Sequence, residues 1–209
     1  MSPSATAAPP VSGRIGLFGG TFDPPHIGHL LTGQSIAERR KLDQIWYVVA
    51  NDPWQKSGDR SVTPAAIRLA MVQETCFWSR HPEFESRACD IEIRAGGPSY
   101  TADTLRSLSS VHRDAEFEVI VGSDAAAQLH TWQDSDWLSE HATFVVVQRG
   151  GQPAQAAPGF RVCAVEAPLL EVSSTEIRAR TRRGLPITHM VPGPVAAVIE
   201  AHNLYREAS

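Results

Sequence analysis

Clustered cysteines, long apolar runs and an excess of basic residues are all missing from this sequence, and each absence excludes a class of protein. The three cysteines, Cys76, Cys89 and Cys163, lie far apart and form no C-x-x-C pair. That usage argues against a disulfide framework or a thiolate zinc site and fits a reducing, cytoplasmic compartment. No stretch approaches the roughly 18 apolar residues of a membrane span. A formal net charge of −4 also argues against a general nucleic-acid binder, which needs a basic surface.

Apolar runs separated by amphipathic segments predict one α/β domain of ordinary composition, with 42% hydrophobic residues in a chain of 209. Because the runs are apolar throughout rather than at every second residue, the sheet should be parallel and covered on both faces. The predicted fold is a single doubly wound, Rossmann-like parallel sheet with C-terminal helices, in which ligands bind beyond the carboxyl ends of the strands. The predicted strands are Ile15–Phe18, Ile45–Ala50, Phe84–Ala88, Phe117–Val121, Thr143–Gln148 and Arg161–Val165.

Helices are predicted between and after these strands. The first, from about residue 27 to 41, would bury Ile27, Leu30, Leu31 and Ala37. The second would have Thr63 as N-cap and Pro64 at its first position, and would bury Ile67, Ala70, Met71 and Trp78. Three more are predicted at Thr101–Ser109, from Ser174, and from Pro194 to about His202. Residues 1–13, rich in Ser, Ala and Pro, are predicted to be a disordered tail, which leaves 14–209 as the domain.

The loop after the first strand, residues 19–29, reads GGTFDPPHIGH. It is neither a G-x-G-x-x-G fingerprint nor a Walker loop. Its glycines let the backbone approach a bulky ligand, and a helix that begins at about Pro25–Ile27 would point free N–H groups at that ligand. His26 and His29 share the first helical turn, and Gly28 between them would leave room for the ligand. The simpler alternatives are a surface or capping histidine, or a zinc site, for which the pair lacks nearby Cys, Asp or Glu ligands at suitable spacing.

A second candidate segment, residues 173–178, reads SSTEIR. Ser173 and Glu176 can form a capping box at the start of a helix. A capping box alone does not account for Ser174, Thr175 and Arg178, which add two hydroxyls and a planar cation to a helix start that already attracts anions. Both candidate segments therefore suit a phosphate ligand.

The two segments resemble the H-x-G-H and S-S-T-x-I-R motifs of the nucleotidyltransferase superfamily. Within it, four further segments resemble the bacterial nicotinate-mononucleotide adenylyltransferases: GPSYTADTL at 97–105, GSD at 122–124, Thr131-Trp132, and VPGPVAAVIEAHNLY at 191–205. The resemblance spans Arg14 to Tyr205 and is least specific at 51–94 and 150–159. Gln133 and Gly150 depart from the family pattern, which often has an aromatic residue and a proline there.

On the ATP side, the resemblance implies that His26 and His29 bind and neutralise the phosphates in the transition state. Gly122 and Asp124 would hold the adenosine ribose, and the β- and γ-phosphates would be bound by Ser174, Thr175 and Arg178. The remaining ATP contacts would come from the first loop, at Gly19, Gly20, Thr21, Phe22 and Gly28.

On the acceptor side, the resemblance implies that backbone N–H groups at Thr101 meet the nicotinate carboxylate and that Trp132 stacks on the pyridine ring. Asn51 and Lys56 would bind the phosphate of the mononucleotide. Each has a simpler alternative: an N-cap for Thr101, a core residue for Trp132, and a solvated charge for Lys56.

The implied reaction transfers the adenylyl group of ATP to nicotinate mononucleotide, giving nicotinate adenine dinucleotide and pyrophosphate, a step in NAD biosynthesis. The acceptor phosphate is already anionic at neutral pH, so direct in-line attack needs positioning and charge stabilisation rather than a general base. Mg²⁺ would travel with ATP, since no Asp/Glu cluster suggests a dedicated cage. The alternatives are another acceptor (nicotinamide mononucleotide or phosphopantetheine), a cytidylyltransferase, or a non-catalytic ATP sensor. A homo-oligomer is left open.

Overall fold

The computed structural model describes residues 11–52, 62–148, 156–168 and 170–206. Within these residues six parallel strands form one sheet in the order β3-β2-β1-β4-β5-β6. The strands are β1 (Gly13–Gly20), β2 (Gln44–Val49), β3 (Glu85–Cys89), β4 (Ala115–Gly122), β5 (Thr143–Gln148) and β6 (Arg161–Glu166). The predicted doubly wound α/β fold is confirmed, and its topological switch point lies between β1 and β4, where ligands bind in such sheets.

Eight helices flank the sheet in the described part of the chain. They are α1 (Ile27–Arg40), α2 (Ala65–Trp78), α3 (Ile91–Ala95), α4 (Thr101–Val111), α5 (Ser123–Ala127), α6 (Ser135–His141), α7 (Ser174–Arg182) and α8 (Gly193–Ala201), with a 3-10 turn at Leu129–Thr131. Helices α3, α5 and α6 were not predicted, because helices of five to seven residues are too short to show a helical period in the sequence. None of the described helices is both long and apolar enough to cross a membrane.

Two apolar clusters cover opposite faces of the sheet, because successive strand side chains point to opposite sides. One face combines Leu17, Trp46, Val48, Val119, Val121, Phe144 and Val146 with Leu105 and Leu108 of α4 and Leu138 of α6. The other combines Ile45, Tyr47, Val49, Ile120, Val145 and Val147 with Ile36 and Ala37 of α1 and Val72 and Cys76 of α2. A third cluster, Met71, Ile177, Val191, Val195 and Ile199, fastens α7 and α8 to α2.

The predicted buried face of α1 is largely wrong. Ala37 is buried, but Ile27, Leu30 and Leu31 are only partly so, and the buried stripe is Thr32, Gly33, Ser35, Ile36 and Ala37. Small residues bring this helix close to the sheet: a Cβ on Gly33 would collide with the hydroxyl of Tyr47. Burial here therefore follows small size rather than hydrophobicity.

The prediction for α2 needs a similar correction. Its N-cap is Pro64 rather than Thr63, and Trp78 is 55% exposed. The buried stripe is Arg68, Met71, Val72, Thr75 and Cys76. Of the residues predicted to be buried, only Met71 is, and the stripe begins at Arg68 rather than at Ile67.

Residues just before Arg14, the predicted start of the domain, take part in the described structure. Strand β1 begins at Gly13, and the N–H of Val11 donates to Nδ1 of His112 at 3.1 Å. Residues 1–10 of the predicted tail lie outside the described residues.

A buried carboxylate ties the central strands to α1. Glu118 of β4 is 6% exposed and accepts hydrogen bonds from Nη2 of Arg14 at 2.5 Å and Nε of Arg40 at 2.8 Å. Burial by itself would raise the pKa of Glu118, but the hydrogen bonds and charges of Arg40 and Arg14 outweigh it, and the pKa lies below its ordinary value of 4.5. The ionised form is therefore favoured in the folded protein.

We expect Glu118→Gln to lower the free energy of unfolding at neutral pH by about 1.5–3 kcal/mol, the range for a charge-assisted hydrogen bond. Because the folded-state pKa is depressed, the wild-type advantage is complete above about 4.5 and shrinks as the pH falls below that value. Denaturant unfolding of both proteins across this range measures it. Glu116→Gln, at an exposed site on the same strand, should change little. An equal loss at every pH would contradict the proposed ion pair.

Candidate active site

The loop that joins β1 to α1 is built from buried residues. We call Thr21–His26 loop 1; all six of its residues are buried. Phe22 has a φ of 49°, a left-handed conformation that is costly for a residue with a Cβ. Its ring lies 5.0 Å from that of His29 and 5.9 Å from that of Tyr47, and this packing holds the conformation. The side chain of Phe22 therefore lies under the loop, and only its backbone can meet a nucleotide.

The two histidines of the H-x-G-H motif are stacked at the start of α1. Their ring centroids are 3.7 Å apart and their planes differ by 28°. His26 is the N-cap, and its backbone N–H donates to Nδ1 of His29 at 3.1 Å. His29 thus takes the part that Glu plays in a capping box. Because Nδ1 accepts a hydrogen bond, the neutral ring carries its proton on Nε2.

Two details of the predicted anion site at the start of α1 are wrong. The space beside Gly28 is filled by protein rather than left for a ligand, since a Cβ there would lie 3.0 Å from the ring of His26. The first N–H groups are also partly used: that of His26 by His29, and that of Ile27 by the carbonyl of Met190 at 3.0 Å. The imidazoles, more than the backbone, are what this helix start can offer an anion.

Helix α7 is held against loop 1 by the residues of the S-S-T-x-I-R motif. Ser173 caps the helix by accepting from the N–H of Glu176 at 3.1 Å, so this half of the predicted capping box is confirmed. The Ser174 hydroxyl donates to the carbonyl of Pro24 at 2.8 Å. Nη1 of Arg178 donates to the carbonyl of Asp23 at 2.8 Å, and its Nη2 donates to the hydroxyl of Thr175 at 3.1 Å. The two motifs, far apart in sequence, therefore meet in the fold.

The switch point brings a third element to the same edge of the sheet. Strand β4 pairs with β1 and ends at Gly122, and Asp124 follows in the first turn of α5. Both residues are exposed. Apart from its chain neighbours, a Cβ added at Gly19 or at Gly122 would meet no atom of the described residues within 4 Å. These two strand ends therefore present open backbone to a ligand.

The predicted acceptor residues Asn51 and Thr101 also lie close together. The N–H of Asn51 donates to the Ser99 hydroxyl at 3.1 Å, and its side-chain amide donates to the carbonyl of Gly97 at 3.0 Å. Thr101 is the first residue of α4, and Tyr100 is its N-cap, so the alternative of Thr101 as an N-cap is wrong. Lys56 lies outside the described residues.

The environment of Trp132 combines the two alternatives considered for it, a core residue and a residue that stacks on a ligand ring. It is half-buried, and its ring meets that of Phe144 edge-on with centroids 6.1 Å apart. One part of the indole thus belongs to the core, and the exposed part remains available for stacking.

Several residues that support this site were not predicted from the sequence. Asp23 is 2% exposed and accepts a hydrogen bond from the hydroxyl of Tyr205 at 2.7 Å. Burial, and then the charge of Asp23, raise the pKa of Tyr205 well above its ordinary range, so the hydroxyl stays protonated and can donate. Arg68, at 1% exposure, reaches loop 1 from α2. Only the position of Arg68 within the periodic buried stripe of α2 could have indicated that it is buried.

Some known proteins resemble this chain in sequence, and some solved structures resemble it in fold. The cytidylyltransferase-like family matches residues 17–180. A protein of Exiguobacterium sibiricum named "probable nicotinate-nucleotide adenylyltransferase" is 41% identical over 92% of this chain and 98% of its own length. One of the same name from Streptomyces coelicolor is also 41% identical, over 90% of this chain and 98% of its own. The chain belongs to the nicotinate-nucleotide adenylyltransferase family.

A solved structure supports the fold of this nicotinate-nucleotide adenylyltransferase family member. The nicotinic acid mononucleotide adenylyltransferase of Plasmodium falciparum, complexed with NaAD, superposes with a TM-score of 0.72 over 92% of this chain and 97% of that one. At 21% identity the likeness concerns the fold alone. The family assignment itself rests on the sequence relatives.

Proposed function

We propose that this chain transfers the adenylyl group of MgATP to nicotinate mononucleotide, releasing pyrophosphate and forming nicotinate adenine dinucleotide. The observation that carries the proposal is the meeting of its two motifs. The stacked His26–His29 pair starts α1, and Ser174 and Arg178 of α7 bond to the loop that leads into it. Family membership supports the same reaction.

In the proposed complex ATP lies across the switch point between β1 and β4. The open backbone at Gly19 and Gly122 gives the adenosine a surface, with Asp124 at the ribose. His26, His29 and the start of α7 then surround the triphosphate. Gly20, Thr21, Phe22 and Gly28 contribute through shape and backbone, since their side chains are absent or buried.

The chemistry in this proposal is one displacement at the α-phosphorus. An acceptor phosphate oxygen forms a bond to that phosphorus as the bond to pyrophosphate breaks, and no proton needs to move. Nε2–H of His29 donates to the phosphoryl oxygens as charge shifts among them, and the guanidinium of Arg178 offsets the charge of the leaving group. Arg178 has five N–H donors in a fixed fork, so it can hold loop 1 and contact an anion at once.

Mg²⁺ enters this proposal as part of the MgATP substrate. Among the described residues no group of three or more His, Cys, Asp or Glu side chains is placed to hold a metal ion. Phosphate oxygens and water can supply most of an octahedral magnesium shell.

A substrate panel tests the proposed function directly. Pyrophosphate release is measured with ATP or CTP and with nicotinate mononucleotide, nicotinamide mononucleotide or phosphopantetheine as acceptor. The proposal expects the highest kcat/KM for ATP with nicotinate mononucleotide. Faster turnover of another pair assigns a different transferase, and ATP binding with no turnover on any acceptor assigns a sensor.

We expect His29→Ala to lower kcat by roughly 10²–10³, the effect of removing one preorganised donor from a reaction centre. His29→Asn is the matched control for folding, because an amide oxygen can still accept from the N–H of His26 at the helix start. It should restore thermal stability without restoring kcat. Wild-type kcat in either folded variant would contradict the role of the imidazole.

For Arg178→Lys we expect KM for ATP to rise by about 10–100-fold, since one charge-assisted hydrogen bond contributes roughly 1.5–3 kcal/mol. A single ammonium cannot reproduce contacts made by two separate guanidinium nitrogens. Steady-state kinetics should show a much smaller rise in KM for the mononucleotide. Arg182→Lys, at an exposed site on the same helix, serves as control. Equal rises in KM for both substrates would contradict a contact between Arg178 and the triphosphate.

Acceptor choice should come from the backbone at the start of α4. No Lys or Arg lies at 100–105 or 131–133. The nearby Arg106 is engaged by Asp103 at 3.2 Å and Asp134 at 2.6 Å and lies over the ring of Trp137. The first N–H groups of α4 have no acceptor within the helix and can pair with a carboxylate. An amide would turn its NH₂ toward them in one orientation, which costs roughly 1–3 kcal/mol per unsatisfied group.

We therefore expect the wild type to prefer nicotinate over nicotinamide mononucleotide in kcat/KM, by up to about 10⁴. Trp132→Ala should weaken both acceptors by about 1–3 kcal/mol, as in base stacking, and keep the preference. Measuring kcat/KM for both acceptors with both proteins decides this. The idea fails if the wild type uses the two acceptors equally, or if Trp132→Ala removes the preference while nicotinate turnover stays intact.

A further inference from the structure

A buried arginine outside both motifs joins three separate segments at the edge of the sheet. Arg68, in the first turn of α2, is 1% exposed. Its Nη1 donates to the carbonyl of Thr21 at 2.8 Å, its Nη2 to that of Asn51 at 3.0 Å, and its Nε to that of Thr63 at 2.8 Å. Each guanidinium nitrogen therefore binds a different piece of chain.

Two of these three carbonyls, those of Thr21 and Asn51, lie in the two halves of the proposed site, and the third, that of Thr63, lies just before α2. Thr21 begins loop 1, which leads to the histidine pair on the ATP side. Asn51 follows β2 on the acceptor side, where its own amide groups bond to Gly97 and Ser99 just before α4. A single rigid, planar group thus fixes the spacing between the ATP half and the acceptor half.

The charge of Arg68 makes this link stronger than an apolar side chain could. Burial lowers its pKa, and the negative charge of nearby Asp23 acts in the opposite direction; guanidinium in proteins stays protonated. Asp23 is itself buried and bonded to Tyr205. A leucine or methionine would fill similar volume without a desolvated charge, but it would leave three carbonyls without this donor.

We propose that Arg68 is a positioning residue that holds the ATP-binding loop and the acceptor-binding segment at the separation that in-line attack requires. This inference rests on the proposed function, because it assigns the two segments to the two substrates. In-line transfer depends steeply on alignment, and a displacement of about 1 Å can cost on the order of 10² in rate. Each substrate keeps its own contacts when Arg68 is replaced, so binding should suffer much less than turnover.

The test compares Arg68→Met and Arg68→Lys with wild type. In Arg68→Met we expect kcat to fall about 10–100-fold, with KM for ATP and for the acceptor each within about threefold of wild type. Arg68→Lys keeps the charge but cannot reach three carbonyls in fixed directions, so its kcat should lie between those of wild type and Arg68→Met. If the methionine variant does not fold, Arg68→Lys still tests the proposal. Unchanged kcat in a folded variant, or a loss confined to KM, would overturn the proposal.

A destabilised control separates positioning from general stability. Leu42, 3% exposed, lies just before β2 at the amino edge of the parallel sheet, opposite the carboxyl edge where the two loops lie. Leu42→Ala should lower the unfolding temperature yet leave kcat at wild-type level when assayed well below that temperature. If Leu42→Ala lowers kcat as much as Arg68→Met, the effect is one of stability and the positioning role is wrong.

A measurement that needs no turnover tests the positioning role of Arg68 independently of the proposed function. Amide hydrogen exchange reports local opening. It should rise at 21–23, 51–52 and 62–63 in Arg68→Met but not in Leu42→Ala. If the wild type fails to release pyrophosphate with ATP and nicotinate mononucleotide, the proposed function fails, whereas the exchange comparison still decides whether Arg68 holds these segments. Equal exchange in wild type and Arg68→Met would overturn the inference by itself.

Discussion

The site depends on how the buried carbonyls of loop 1 are satisfied. A buried backbone carbonyl without a donor is costly, and loop 1 has three that are met by side chains from elsewhere: Thr21 by Arg68, Asp23 by Arg178, and Pro24 by Ser174. Two of these carbonyls are followed by proline, which has no N–H to satisfy. The two prolines thus remove two N–H donors from a buried turn, and side chains of helices α2 and α7 supply donors for the three carbonyls.

This arrangement explains why residues far apart in sequence must be present together. Loop 1 lies outside the helices and strands, and three of its carbonyls are met by side chains of α2 and α7. Helix α7 can supply them only because Ile177 is fully buried against Met71 and the residues of α8. Tyr205, just after α8, closes the same assembly by donating to Asp23. The apolar packing of three helices thereby sets the position of a polar loop.

The sequence predicted the sheet well and the supporting contacts poorly, for physical reasons. Strands such as Thr143–Gln148 are continuous apolar runs, and burial on both faces leaves them few alternatives. The faces of α1 and α2 were misjudged because Gly33 and Arg68 are buried for reasons of shape and hydrogen bonding that hydrophobicity does not report. The histidine and serine motifs were recognisable because each is a contiguous segment of sequence. The bonds of Arg68 and Tyr205 to loop 1 link residues 47 and 182 positions apart, and no local pattern encodes such a pairing.

The character of these supports matches the kind of catalysis that the proposed reaction needs. A phosphate nucleophile is ionised before it binds, so the protein has no proton to remove and gains little from a side chain that titrates. What limits the rate is then the placement of two anionic groups that repel each other. Rigid donors aimed at backbone, rather than mobile acids and bases, serve that purpose. In this fold the residues that hold the loop should therefore matter to turnover nearly as much as those that touch the phosphates.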